Sequence, residues 1–169
     1  KVLTFEDGER AGARRIRPEY TRLTSLVREV LDAFRPLAAS RQVTVDALLD
    51  DECVASVDRS AVRQIMINLL DNAVKYGPAG QTITVVLQTV AGRVRISVED
   101  QGRGVPPDQR GAIWEPFRRL DRDAHSAVAG SGIGLSVVKQ LVEAHNGAVR
   151  VEGAVEGGAR FVIDLPVGS

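Results

Sequence analysis

The stretch Gln64–Gly77, QIMINLLDNAVKYG, constrains the fold more than any other part of the chain. Val62, Ile65, Met66, Leu69, Leu70 and Ala73 recur at three-and-four spacing, the stripe of a helix that buries one face. Gln64, Asn68, Asn72 and Lys75 follow one another at helical steps of four, four and three, so they share a second face. Asparagine side chains compete for backbone hydrogen bonds, so two of them stacked in mid-helix need a reason. Amide oxygens and a cation on one face suit a magnesium ion carrying phosphates. A solvated polar face suits the same residues equally well.

The helix needs a core to pack on, and 169 residues supply one domain's worth. An apolar content of 44% with zero net charge is that of a globular domain and gives no footprint for nucleic acid. Of the 22 cationic residues only Lys1, Lys75 and Lys139 are lysines, which sets Lys75 apart inside the asparagine stripe. Cys53 is the single cysteine, so no disulfide forms within the chain. No apolar run reaches the length of a membrane span, and the N-terminus does not read as a signal peptide. The chain starts at Lys1 rather than methionine, as an excised piece of a longer protein would.

Residues 1–20 mix charge and glycine without periodicity and read as a tail or linker, leaving 21–169 as the folded domain. Leu23, Leu26, Val27, Val30, Leu31, Phe34 and Ala38 make a helical stripe whose last turn Pro36 should loosen. Val43–Leu49 and the run CVASVD read as strands around the acidic turn Asp50-Asp51-Glu52. Asp58 or Ser60 can cap the asparagine helix, and Gly77-Pro78 ends it. Ile83, Val85 and Leu87, then Val94, Ile96 and Val98, alternate along two strands joined at Ala91-Gly92, a hairpin. Counting on by two from Val98 puts Asp100 on the apolar face, where a carboxylate needs a partner; if the chain has already turned there, Asp100 is exposed.

Gly102 and Gly104 follow in DQGRGVPP, which lacks the full dinucleotide fingerprint and fits an ordinary loop as well. Ile113, Trp114 and Phe117 cluster beside a proline, and Arg118–Val128 is charged and small, the pattern of a mobile loop. Gly130, Gly132 and Gly134 then lead directly into the stripe Val137, Val138, Leu141 and Val142, closed by Asn146-Gly147. Glycines feeding a helix N-terminus present free N–H groups, a phosphate cradle; a flexible hinge explains the glycines but not their placement. Two more strands, AVRVEG and RFVIDLP, complete the chain. This order of elements predicts an α+β two-layer sandwich, a mixed sheet with helices on one face.

Taken together, NLLDNAVKYG, DQGRG, WEPF and GSGIGL, in that order and followed by HNGAVRVEG and GARFVIDLP, resemble the catalytic ATP-binding domain of bacterial sensor histidine kinases, within the gyrase-type ATPase superfamily. The resemblance spans roughly residues 23 to 166 and implies a Bergerat-type ATP-binding fold with ATP and Mg2+ as ligands. It makes Asn72 the metal ligand. Asn68 lies where hydrolysing relatives carry a water-activating glutamate. Lys75 becomes a phosphate contact, Tyr76 an aromatic against adenine, and Asp100 the acceptor for the adenine amine. By the same matching, Gly102 and Gly104 let the backbone pass the base, while Trp114–Phe117 anchors a lid. Arg119 is the lid arginine, with Arg118 and Arg122 as alternatives. Gly130, Ser131, Gly132, Ile133, Gly134 and Leu135 form the second glycine box. Asn68, Lys75 and Arg119 are the residues expected to bear on catalysis.

Residues 1–15 resemble the tail of the helical dimerisation hairpin that precedes this domain in the family. The expected partners are that hairpin, which carries the phosphoacceptor histidine in the parent protein, and a response regulator. The resemblance further implies the cytoplasmic portion of an inner-membrane sensor, with no membrane contact by this piece. One departure matters. Of the two histidines, His125 falls in the expected lid and His145 at a helix end, where imidazole favours the carbonyls; neither has acceptor surroundings. The competing readings are an ATP-hydrolysing relative, disfavoured because the Asn68 amide is no general base, an ATP-gated interaction module, and an anti-sigma-factor-like protein-serine kinase.

Overall fold

A computed structural model describes residues 15–116 and 134–168. The chain runs β1 (Glu19–Arg22), α1 (Leu23–Ser40), β2 (Thr44–Leu49), β3 (Val54–Val57), α2 (Arg59–Tyr76), β4 (Thr82–Val90), β5 (Arg93–Glu99), α3 (Gly134–Ala144), β6 (Ala148–Gly153) and β7 (Ala159–Pro166). Single 3-10 turns cover Pro107–Gln109 and Ala112–Trp114. Five strands form one sheet in the order β2-β4-β5-β7-β6. Only β2 and β4 run parallel, so the sheet is mixed, as expected.

The register explains which face is covered. Val85, Val98, Phe161 and Val151 stand in one row across four strands, and Leu87, Ile96, Ile163 and Val149 in the next. All are buried except Val149, which is partly buried against the core. The apolar stripes of α1, α2 and α3 complete this layer, with Leu26, Leu31, Ile65, Met66, Leu69, Leu70, Leu141 and Val142 all inside. Fully burying a side chain of this size stabilises by about 1.5–3 kcal/mol, so the shared helix–sheet layer is the dominant favourable contribution to the fold.

The opposite face carries charge. Arg95, Asp164, Arg150, Glu152, Arg160 and Glu99 form one continuous chain of ion pairs across β5, β7 and β6, with contacts between 2.7 and 3.2 Å. Val162 and Ser97 lie buried in the middle row beneath it. Burial pushes the Asp164 carboxyl up, but hydrogen bonds and charge from Arg95 and Arg150 outweigh this and hold it below the usual carboxylate range. Glu152 is lowered in the same way by Arg150 and Arg160.

Local signals act as the sequence suggests. The turn Ala91-Gly92 has φ of 51° and 75°, both positive, the geometry of a type I′ hairpin. The Asp58 side chain caps α2 by accepting from the Ala61 N–H at 3.1 Å. Helix α1 runs through Pro36 to Ser40 and ends in two tight bonds, Arg41 N–H to Ala38 O and Gln42 N–H to Ala39 O. One element differs from expectation. Strand β1, read in part as an aperiodic tail, pairs antiparallel with β3 from Glu19 opposite Val57 to Arg22 opposite Val54. Its sequence, Glu-Tyr-Thr-Arg, buries only Thr21, so no apolar pattern announces it.

Candidate nucleotide site

Helix α2 is fixed at both ends. At its start, the Asp58 carboxylate accepts from the Arg17 and Ala61 N–H groups, and the Asp58 N–H donates to His145 Nε2 at 3.1 Å. Burial raises the Asp58 carboxyl, yet these hydrogen bonds leave it below its ordinary value. His145 is buried, and its Nδ1 lies 2.8 Å from Leu141 O. Since a backbone N–H only donates, Nε2 accepts and Nδ1 carries the proton. His145 thus ties the end of α3 to the start of α2, the structural role its position suggests.

The polar face of α2 is ordered in steps. Gln64 Nε2 donates to Asn68 Oδ1 at 2.7 Å, and Asn68 Nδ2 donates to Gly134 O at 3.1 Å. Asn68 therefore bridges α2 to the first residue of α3, with both ends of its amide engaged. Asn72 is half-buried, and its side chain hydrogen-bonds to no described residue. Lys75 Nζ pairs with Asp71 Oδ2 at 3.0 Å, a partner absent from the stripe read in the sequence. Its spacing of four residues was the available signal. Tyr76 is half-buried at the helix end.

Asp100 closes the other side. It is 5% exposed, which decides the open question of its direction in favour of burial. Its Oδ1 accepts from the Gly102 N–H at 2.9 Å and the Ala159 N–H at 3.1 Å, so the carboxylate is held by backbone donors. Gly102 is pressed against the end of α2, where a β-carbon would stand 2.8 Å from Tyr76 O. Gly104 has φ of +74°, a conformation that favours glycine. Gly158 packs so closely that any β-carbon would run into the Asp100 carbonyl. Trp114, buried, meets the Phe161 ring of β7 edge-on, with ring centroids 5.9 Å apart.

The structure therefore brings Asn68, Gly134 and Leu135 together at one end of the site and Tyr76, Asp100 and Gly102 at the other, with Asn72 and Lys75 on the helix between. Arg119, Gly130, Ser131, Gly132 and Ile133, with Phe117 and the expected lid, lie outside the described residues. Among the described residues no group of three or more His, Cys, Asp or Glu side chains gathers as a metal cage. None of the described helices is long and apolar enough to cross a membrane.

Comparison with known proteins supplies the family. The family described as histidine kinase-, DNA gyrase B-, and HSP90-like ATPase matches residues 57–169. Sensor histidine kinase TmoS of Ectopseudomonas mendocina is 35% identical over 170 residues, covering 99% of this chain and 18% of its own. Adaptive-response sensory kinase SasA of Trichormus variabilis is 40% identical over 153 residues, covering 89% of this chain and 37% of its own. The chain thus spans well under half the length of these relatives. The structure of full-length ShkA in complex with AMPPNP superposes with a TM-score of 0.80 at 31% identity, over 94% of this chain and 33% of that one. The chain belongs to the histidine kinase-, DNA gyrase B- and HSP90-like ATPase family, and it is similar to one part of longer sensor histidine kinases.

Proposed function

We propose that this domain binds magnesium-ATP across the end of α2 and delivers the γ-phosphoryl group to a histidine on a helical hairpin of its parent protein. The observation that carries the reading is the buried Asp100 carboxylate, held by the N–H of Gly102, which itself packs on the C-terminal turn of the helix that bears Asn72 and Lys75. Asp100 accepts from the exocyclic amine of adenine, while Gly102 and Gly104 let the backbone lie close to the base. Tyr76 packs on the ring. Lys75 and the glycine box around Gly134 meet the phosphates, and Arg119 adds charge there.

Asn72 suits a magnesium ion, because it is a half-buried residue whose amide hydrogen-bonds to no described residue, and such an ion takes few protein ligands when phosphates supply the rest. When bound, the ion neutralises phosphate charge. Asn68 holds α3 against α2 and cannot deprotonate water, so ATP is kept for transfer rather than hydrolysed. The nucleophile comes from the hairpin, which must stand in line with the terminal phosphate. A response regulator receives the phosphoryl group next. The parent is a membrane-anchored sensor with this domain on its cytoplasmic side, and the residues that precede β1 are the link to its hairpin.

Radiolabelled ATP tests the reading. The domain alone should bind ATP and remain unlabelled. Adding the parent's hairpin as a separate polypeptide should label the hairpin, in an acid-labile, base-stable linkage that disappears when its histidine is changed to alanine. Label on the domain alone, or label surviving that change, would place the acceptor elsewhere.

A further inference from the structure

Gln81 is a glutamine with almost no solvent contact, 2% exposed, one residue before β4. Its Nε2 donates to Ala73 O at 2.9 Å, in the last turn of α2 and next to Asn72. Its Oε1 accepts from the Gln101 N–H at 3.0 Å, next to Asp100. Gln101 reciprocates: its Oε1 accepts from the Thr82 N–H at 2.7 Å. The β4–β5 ladder ends with Thr84 opposite Glu99, so beyond it two glutamine amides replace the missing backbone pairing. A buried amide satisfied at both ends is costly to disturb at either. One side chain therefore joins the helix turn carrying Asn72 to the loop carrying Asp100.

We propose that Gln81 is a positioning residue for the nucleotide, a clasp that sets the base-reading loop at a fixed offset from the phosphate-side helix. The proposal rests on the roles given above to Asp100 and Asn72. A fixed offset matters only to a ligand that engages both halves at once, because the second contact is then intramolecular. Adenosine and tripolyphosphate each use one half, whereas ATP uses both.

Gly77 provides an independent handle. Its φ of −105° suits alanine, but a β-carbon there would run into the Gln81 amide. Gly77→Ala therefore displaces Gln81 without straining the backbone.

The test is equilibrium binding of magnesium-ATP, magnesium-GTP, adenosine and magnesium-tripolyphosphate. Each competes against a fluorescent ATP analogue, at a temperature where circular dichroism shows every variant folded. Gln81→Met and Gly77→Ala should each weaken ATP about tenfold, the factor that ~1.4 kcal/mol carries. Adenosine and tripolyphosphate should bind as they do to the parent. In a Gln81→Ala background, Gly77→Ala should cost nothing further, since the obstructed side chain is gone. Unchanged ATP affinity in both single variants would overturn the proposal. So would equal weakening of ATP, adenosine and tripolyphosphate, which is the mark of general loosening, or an undiminished effect of Gly77→Ala without Gln81. If Gln81→Met does not fold, the Gly77→Ala pair decides alone. Equal affinity of the unaltered domain for ATP and GTP would instead overturn the reading of Asp100, and the clasp with it.

Discussion

At the scale of single residues, the site depends on charges placed where burial makes them costly. Asp100 is the clearest case, since two backbone N–H groups hold its carboxylate at the end of an apolar row. Asp100→Ala should weaken ATP binding by about 1–3 kcal/mol, the range for a hydrogen bond to a charged group with its desolvation. GTP, with a carbonyl where adenine has its amine, should bind poorly to the parent, and calorimetry with both nucleotides checks the pair of statements. Lys75 is a different case. Its pairing with Asp71 is partly exposed and contributes little to stability. Asp71→Asn should therefore leave the melting temperature nearly unchanged. It should tighten ATP binding by roughly 0.5–1 kcal/mol, because one negative charge leaves the phosphate side and Lys75 is released toward it. Weaker ATP binding in that variant would mean that Asp71 orients Lys75 rather than competing for it.

At the scale of elements, what could be read ahead was set by how local the signal is. The two faces of α2, the I′ turn and the parity that buries Asp100 all lie within a few residues of sequence, and all are present. Strand β1 was not legible, because Glu19–Arg22 has no apolar alternation and owes its existence to β3, more than thirty residues away. The Gln81 clasp was not legible either: a glutamine after Pro78-Ala79-Gly80 reads as a solvated turn, and only the fold brings Ala73 and Gln101 to it. The tight approach of Gly158 to Asp100 has no local signal either, since it depends on β7 lying beside β5. The hairpin yields a stability prediction. Ala91 holds φ of 51°, which costs an L-residue with a simple β-carbon about 1–2 kcal/mol. Ala91→Asn should recover roughly 0.5–1 kcal/mol, since asparagine tolerates this position in a type I′ turn. Chemical denaturation should show a higher midpoint with an unchanged slope.

For the whole molecule, the two faces of the sheet answer to different variables. The helix-covered face responds to apolar area, and the outer face responds to protons and salt. Asp58, Glu152 and Asp164 all titrate below their ordinary values in the folded chain. In each case burial opposes the shift, while hydrogen bonds and, for Glu152 and Asp164, neighbouring arginines outweigh it. A carboxylate with a depressed folded pKa adds stability that is present above its unfolded pKa, about 4, and is lost as pH falls through the folded value. The unfolded chain then binds more protons than the folded one. Unfolding free energy should therefore decline as pH drops below about 5, with a slope of up to ~1.4 kcal/mol per pH unit for each whole proton taken up. Two of the three groups belong to the ion-pair chain on the outer face, so its contribution should also shrink in high salt, whereas Asp58, held by backbone N–H groups, should be less sensitive. Urea titrations from pH 6 down to about pH 3, at low and high salt, separate the two contributions. Asp164→Asn combined with Glu152→Gln should flatten the acid slope and remove most of its salt dependence. An Asp58→Asn variant should flatten it with the salt dependence intact. If the double variant keeps the parent's acid profile, the ion pairs across β5, β7 and β6 are decoration on a face whose stability comes from Val162 and the rows beneath it.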